Sequence, residues 1–421
     1  MTKPGKPLRV LVIAQYYPPD MGGGATRAYN VVKGITLHGV QVVVVAAFPH
    51  YPHGNVPREY RRKLLKIEWH EGVKIIRTFV PPLPSKGIAY RLILAICFAI
   101  SSLFALPAVG KVDVIWAANP NVISFFPALV YGLVKRAPVA LNVDDLWPED
   151  IYSFKLLRPD SFLARIAETM ARIAYHKARV LTPISPGYIS VICRRYRVDK
   201  RKIKVVRAGV DVNRFRPYSP STRRHGNKFT VLYSGAFSVA YDFEQILKAA
   251  KLLENENVEF ILQGGGEVAS HLKFMVNKLK LKNVWIVDKI LSRDEVAKLL
   301  SEADALILPL KDFGNPYLGI SSKLYEYQAA GKPIICCADG QPAKYVKETG
   351  SGIVVKPGSY ESLAKSVLYL KENLKLTEKL GKNGRRYVED NLSIEKIGLQ
   401  MIRIFNSLLM RKERISTSHK T

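Results

Sequence analysis

The second half of the chain alternates short apolar runs with amphipathic segments. Runs at 229–233, 258–262, 284–287, 305–308 and 334–337 are rich in Val, Ile, Leu and Phe and too short for helices, so they read as buried strands. Between them, 242–253, 268–279, 293–303 and 322–330 carry apolar residues at helical spacing. Short buried strands separated by helices specify a parallel, doubly wound sheet. The first half repeats the plan, with strands predicted at 8–14, 41–47, 73–79, 114–117, 139–143 and 179–182 and a helix at 25–37. Each half opens with a strand running into a glycine-bearing turn, Met21-Gly22-Gly23-Gly24 in one and Ser234-Gly235 in the other. The expected architecture is α/β: two doubly wound Rossmann-like domains facing a central cleft, with ligands at the carboxyl ends of the sheets. The domains are placed at 1–210 and 211–400, joined near the Pro-, Ser- and Arg-rich segment 217–227. A C-terminal helix and basic tail at 401–421 is expected to pack back on the first domain.

Segment 92–109 breaks this pattern, because it contains no charge and only Ser101, Ser102 and Pro107 interrupt its apolar character. Its length reaches only the lower limit for a bilayer span. Three placements stay open: a buried helix between two strands, a helix lying on or dipping into a membrane surface, and a span. Tyr90, Arg91 and Phe98 suit an interface.

Composition changes the picture mainly through charge. The chain has 421 residues, enough for two cores, and a formal net charge of +29. Such a balance favours anionic partners, whether nucleotides, nucleic acid or an acidic membrane surface. Basic clusters occur at 58–63, at 194–204 and in the tail from Arg411; the plainer reading is a set of solvated lysines and arginines. Cys97, Cys193, Cys336 and Cys337 form no Cys-x-x-Cys pair, which suggests a reducing compartment and no zinc site. Residues 1–9 are basic and lead into a strand rather than a signal-peptide core, so a cytoplasmic location is expected.

The sharpest local chemistry lies at 319–333. Gly319, Ser321 and Ser322 form a flexible, hydroxyl-rich lead into a helix, whose free N–H groups and dipole favour an anion. Lys323 adds a point charge, and Glu326 lies one turn on along the same face, placed to accept two vicinal ribose hydroxyls. Gly331 and Pro333 end the helix. An ordinary capped helix with a surface Lys–Glu pair explains the same residues. Neither Gly22-Gly23-Gly24 nor Gly264-Gly265-Gly266 supplies a Gly-x-Gly-x-x-Gly fingerprint, and no Walker lysine follows, which disfavours a dehydrogenase and a P-loop enzyme. Asp144, Asp145 and Glu149 are the carboxylates best placed for proton transfer, or else a solvated turn. No Asp-x-Asp occurs, so no metal bridging a diphosphate is suggested and no cofactor is expected.

These motifs, together with 15–27, 49–54, Asp145-Leu146-Trp147-Pro148-Glu149-Asp150, 182–187, 207–215, Tyr233-Ser234-Gly235 and Pro309-Leu310, follow one another in an order that resembles the retaining GT-B glycosyltransferases of the family 4-like group. More narrowly, the chain resembles the colanic-acid and FucNAc-transferase-like branch of glycan-assembly enzymes. The resemblance implies a GT-B fold with a nucleotide-sugar donor, UDP-linked, held mainly by the second domain. At matching positions, Glu326 binds the ribose, while Ser321, Ser322, Lys323 and the nearby Gly319 backbone bind the pyrophosphate. Gly235 lies beside the phosphates, Lys289 and Ile290 clasp the base, and the loop Gly22, Gly23, Gly24 with Arg27 approaches the phosphates or the acceptor. Three departures stand out: Leu318 replaces an expected acid, 237–241 lacks a basic pair, and Asn142 occupies the region of a His-Asp pair.

The implied activity is hexosyl or N-acetylhexosaminyl transfer to a lipid-linked acceptor, a polyprenyl phosphate or pyrophosphate, in surface-glycan or N-glycan assembly. The protein is expected as a peripheral or monotopic enzyme on the anionic inner face of the cell membrane, with no nucleic acid partner. Two alternatives belong to other classes: a UDP-sugar epimerase of the same architecture, and a nucleic-acid-binding α/β protein.

Overall fold

The computed structural model describes residues 6–51, 54–83, 87–118, 122–153, 157–217, 228–312, 314 and 319–418. The chain divides into two compact units, Met1–Gly209 with Ile394–Thr421, and Val210–Ser393. The first contains β1 (Arg9–Ala14), α1 (Gly23–Thr36), β2 (Gln41–Ala47), β3 (Leu65–His70), β4 (Val73–Thr78), α2 (Ile88–Leu103), β5 (Val114–Ala117), α3 (Phe125–Lys135), β6 (Val139–Val143), α4 (Glu149–Ser153), α5 (Phe162–Lys177), β7 (Val180–Pro183) and α6 (Tyr188–Tyr196). Its sheet runs β3-β4-β2-β1-β5-β6-β7, parallel throughout except for β3, which pairs antiparallel with β4.

The hydrophobic pattern does not predict β3, because an edge strand alternates instead of forming a continuous apolar run. Leu65, Ile67 and Trp69 take one face, Lys66, Glu68 and His70 the other. Glu71 and Gly72, both at positive φ (47° and 76°), close a two-residue hairpin. The step from β1 to β2 runs one way along the sheet, whereas β4 to β5, β5 to β6 and β6 to β7 run the other way. Right-handed crossovers therefore place α2, α3 and α5 together on the face opposite α1. Leu94 and Phe98 of α2, Phe125 and Tyr131 of α3, and Ala171 and Tyr175 of α5 accordingly share one buried core. Segment 92–109 is thus most of a crossover helix followed by a 3-10 turn at Leu106–Val109. Among the described residues, no helix is long and apolar enough to cross a membrane.

The second unit contains β8 (Phe229–Ala236), α7 (Phe243–Leu252), β9 (Val258–Gly265), α8 (Ala269–Lys278), β10 (Val284–Asp288), α9 (Arg293–Glu302), β11 (Ala305–Pro309), α10 (Ser322–Ala329), β12 (Ile334–Cys337), α11 (Gly340–Thr349), β13 (Gly352–Val355), α12 (Tyr360–Glu372) and α13 (Leu374–Asn391). All its strands are parallel in the order β10-β9-β8-β11-β12-β13. Strand order reverses between β8 and β11, the place where open α/β sheets receive ligands.

The last helix, α14 (Ile394–Ser418), belongs to the first unit and lies against α1. The boundary expected at 400 falls inside it. The reason is a close helix crossing between glycines: a Cβ on Gly398 would lie 2.2 Å from the Gly34 carbonyl oxygen, and one on Gly34 would lie 2.4 Å from the Ile394 carbonyl oxygen. Gly398→Val is therefore expected to push the helices apart and destabilise the first unit by about 1–3 kcal/mol, read as a lowered thermal midpoint. An unchanged midpoint would contradict this packing.

Candidate functional site

The carboxyl edge of the second sheet gathers most of the residues singled out above. α10 is anchored by its inner face: Leu324, Tyr325, Tyr327 and Gln328 are buried, so the direction of its first turn is fixed. The Tyr327 hydroxyl accepts from the Ser234 N–H and donates to the Ser234 carbonyl, both at 3.3 Å, which ties α10 to the end of β8. Ser321 is the N-cap, its hydroxyl accepting from the Lys323 N–H at 3.4 Å, and Ser322 is the first helical residue. Gly331, at φ +69°, ends the helix. Gly319 precedes the cap, and Leu318 lies outside the described residues.

Lys323 extends from that first turn across Gly235. A Cβ at Gly235 would sit 2.0 Å from Lys323 Cε and displace the end of that flexible side chain, and Gly235 holds φ +150°, a backbone conformation that favours glycine. Lys323 Nζ then reaches the Tyr241 hydroxyl at 2.9 Å and stands 4.9 Å from that ring's centroid. Among the described residues it has no carboxylate partner. A half-buried ammonium beside a helix N-terminus is a positive site with no counter-charge of its own. Tyr241 occupies the region where a basic pair is missing, and it orients Lys323 instead.

Glu326 is buried, and its Oε1 accepts from Arg293 at 2.7 Å. The Arg293 guanidinium stacks on Phe215 at 4.8 Å from the ring centroid. Phe215 closes the 207–215 motif, whose Asp211 carboxylate receives the N–H groups of Asn213 and Arg214 at 3.2 and 3.1 Å. That motif thus reaches Glu326 through Arg293. At the other side, Ser234 Oγ donates to Gln263 Oε1 at 2.6 Å, and Gln263 Nε2 donates to the Lys289 carbonyl at 2.6 Å. The loop carrying Lys289 and exposed Ile290 is thereby fixed beside the ends of β8 and β9. Gly264 and Gly266 serve packing: a Cβ on Gly264 would lie 1.7 Å from the Gly235 oxygen, and one on Gly266 2.3 Å from the Phe237 oxygen.

In the first unit the glycine loop and the acids occupy the carboxyl edge of its own sheet. Gly22, at φ +125°, precedes α1, and a Cβ there would meet the Tyr51 ring at 3.2 Å. Nothing lies within 4 Å of a Cβ at Gly23, and Gly24 continues the first turn. The Asp20 carboxylate holds this arrangement by accepting the His50 and Tyr51 N–H groups at 2.8 and 2.9 Å. Pro52 and His53 of the 49–54 motif lie outside the described residues.

Arg27 is buried, with its Nε 2.9 Å from Asp144 Oδ1 and its NH2 donating to Asn142 Oδ1 at 2.7 Å and to the Thr182 carbonyl at 3.3 Å. Arg27 and Asp144 therefore neutralise one another inside the unit, and Asn142 orients the pair. Burial pushes the Asp144 pKa up, against the pull of Arg27 and of its hydrogen bond with Asn142.

Glu149 Oε1 accepts from the Tyr196 hydroxyl at 2.8 Å and lies 3.3 Å from Arg195, so this carboxylate braces α4 against α6. Asp150 Oδ2 accepts from the Leu146 N–H at 2.6 Å and fixes the turn before α4. Asp145 keeps solvent-accessible surface. The protein crowding around it, and then the Asp150 and Asp144 carboxylates, raise its pKa well above the ordinary value, while Arg91 opposes them. Of the three acids, Asp145 alone is exposed, and its pKa is shifted upward.

Two family descriptions match consecutive stretches of the chain. Glycosyltransferase Family 4 covers residues 21–214, and Glycosyl transferases group 1 covers residues 215–387. The chain is a GT-B glycosyltransferase of the family 4 type. Among similar proteins, an uncharacterized glycosyltransferase of Methanocaldococcus jannaschii is 21% identical over 55% of this chain, a match that spans only 60% of that protein. An Escherichia coli protein named for colanic acid biosynthesis as a glycosyl transferase is 24% identical over 94% of this chain and 99% of its own length. Solved structures with the same fold include sucrose-phosphate synthase from Thermosynechococcus elongatus, at TM-score 0.75 and 17% identity over 96% of this chain and 100% of that one. Anabaena HepE in complex with UDP-glucose aligns at TM-score 0.68 and 16% identity over 95% and 100%.

Sequence reasoning missed Arg293, Phe215, Tyr241, Gln263 and Tyr327. Each acts through a partner distant in sequence, such as Arg293 with Glu326 or Tyr241 with Lys323, and no local spacing reveals such pairs.

Proposed function

We propose that this glycosyltransferase moves a sugar from a UDP-sugar, with retention of configuration, to an acceptor carried on a polyprenyl phosphate or pyrophosphate during surface-glycan assembly. The observation that carries the donor reading is Lys323, an ammonium without a carboxylate among the described residues, beside the α10 N-terminus and one turn from Glu326. The diphosphate takes the helix N–H groups and Lys323, and the ribose hydroxyls donate to Glu326 Oε2, whose twin oxygen Arg293 holds. UDP-glucose in the HepE complex supports a UDP-linked donor. The colanic-acid name of the Escherichia coli relative and the charge of +29 support an anionic, lipid-borne acceptor on a membrane surface.

In the reaction the bond from the anomeric carbon to the donor phosphate oxygen breaks, and the acceptor oxygen bonds to that carbon. The acceptor's proton must leave, and Asp145 is the carboxylate we assign to receive it. The nucleoside diphosphate departs with the electron pair, stabilised by Lys323 and α10.

A base must be unprotonated to work, and a raised pKa moves that requirement to higher pH. The low-pH limb of the rate profile is therefore expected above the ordinary carboxylate range in the wild type, and absent in Asp145→Asn, which falls by about 100-fold or more. A variant with the same limb and rate removes Asp145 from the chemistry. The donor is tested by thermal shift against UDP, GDP and ADP, followed by transfer assays with the stabilising nucleotide's sugars and a membrane lipid extract. Stabilisation by UDP is expected; a shift with another nucleotide alone overturns the base assignment.

A further inference from the structure

α2 departs from the usual amphipathic pattern of a crossover helix, which shows solvent a polar face. Its inner residues Leu94, Ala95 and Phe98 are buried, yet its outer stripe is Ile93, Ile96 and Ile100, continued by Phe104 just beyond its end. Ile100 and Phe104 remain 58% and 60% exposed. The only charge on the helix is Arg91, in its first turn. α3 packs beside α2, with the Tyr131 hydroxyl donating to the Ser102 carbonyl at 2.6 Å, and turns Leu133 outward at 79% exposure. On α5, Phe162 is 75% exposed, with Leu163 and Ile166 next to it. Because the crossovers put these three helices in one layer, the exposed apolar side chains share one face of the first unit. Exposed apolar side chains gathered on one face mark an interaction surface.

Charge selects the partner. Exposed Arg165, Arg172 and Lys177 lie among the apolar residues of α5, with Lys135 at the end of α3 and Lys111 in the loop before β5. Glu168 is the one carboxylate on the three helices, and it is engaged by Arg195 and by the Tyr152 hydroxyl. A second copy docked on the same face would bring one positive rim against another, whereas an anionic bilayer complements it. α2 has 16 residues, about 24 Å, which is short of the hydrocarbon thickness, so it suits an in-plane placement. We propose that the α2–α3–α5 layer is the surface on which this chain docks to an anionic lipid bilayer. The apolar stripe enters the boundary between headgroups and acyl chains, while Arg165, Arg172 and Lys177 meet lipid phosphates. This deepens the membrane reading given above and rests on it, but it does not depend on the donor site.

The test is co-sedimentation of the purified full chain with vesicles of phosphatidylcholine alone and of phosphatidylcholine mixed with phosphatidylglycerol. Binding to the mixed vesicles is expected, at least about tenfold stronger than to neutral ones and weakened by salt. Ile96→Ser with Ile100→Ser should lower that binding by about tenfold or more, as should Arg165→Ala with Arg172→Ala. Leu374→Ser, at an exposed apolar position of α13 in the second unit, should leave it unchanged. The thermal midpoint and the UDP-induced shift of each variant report folding and the donor site separately. Wild-type protein that stays in the supernatant with both vesicles overturns the proposal, as does equal binding by the Ile96 and Ile100 pair. A dimer seen by light scattering that this pair dissolves, with no vesicle binding, overturns it in favour of a second copy.

Discussion

Glu326→Gln is expected to weaken UDP and UDP-sugar binding by about ten- to a hundredfold while leaving the thermal midpoint of the unliganded protein close to that of the wild type. The size follows from replacing charge-assisted hydrogen bonds, each worth roughly 1.5–3 kcal/mol, with neutral ones. The change keeps the side-chain volume in a buried position, so the packing of α10 against β8 through Tyr327 is retained. Arg293 loses its carboxylate but keeps its stack on Phe215. Arg293→Ala should weaken the donor less than Glu326→Gln, and the two together less than the sum, because Arg293 acts by holding the carboxylate. Titration calorimetry with UDP gives all three values, and additivity would separate Arg293 from the ribose site.

The second large effect is expected from a single methyl group. Gly235→Ala places a Cβ where Lys323 Cε now lies, 2.0 Å away, at a backbone φ of +150°. The lysine must leave the Tyr241 hydroxyl, and the leaving diphosphate loses its cation. A fall in kcat of about 100- to 1,000-fold is expected, in line with removal of one preorganised stabilising group. Lys323→Ala should give a similar fall, and Gly235→Ala added to it should cost little more in kcat, since both act on the same ammonium, while the strain at φ +150° shows separately as a lowered thermal midpoint. If Gly235→Ala lowers the rate tenfold or more in the Lys323→Ala background, the glycine has another role.

The α/β character of both halves was legible because parallel strands buried on both faces leave continuous apolar runs, as at 41–47 and 334–337. Its limits are equally physical. β3 alternates because it is an edge, and α14 crosses α1 through two glycines whose pairing no periodicity encodes. Segment 92–109 showed its lack of charge but not its geometry, since periodicity alone does not distinguish a half-exposed apolar helix from a buried one. The placement of Ser321, Lys323 and Glu326 at the start of α10 was readable from helix-start chemistry because they lie within about one turn of each other. Arg293 and Tyr241 were not, for their partners lie 33 and 82 positions away. The acids at the end of β6 looked alike in sequence and separate only in three dimensions: Asp144 against Arg27, Glu149 against Tyr196, and Asp145 toward solvent.

The central claim is that the carboxyl edge of the second sheet holds the nucleotide of the donor. Backbone hydrogen exchange of the full chain with and without UDP tests it most directly, because the start of α10 and the loop after β10 lie on that edge. UDP is expected to slow exchange at 321–326 and at 288–290 in the wild type, and to have no such effect in Glu326→Gln at the same nucleotide concentration. Protection confined to the first unit, or none at a UDP concentration that shifts the thermal midpoint, would contradict the account.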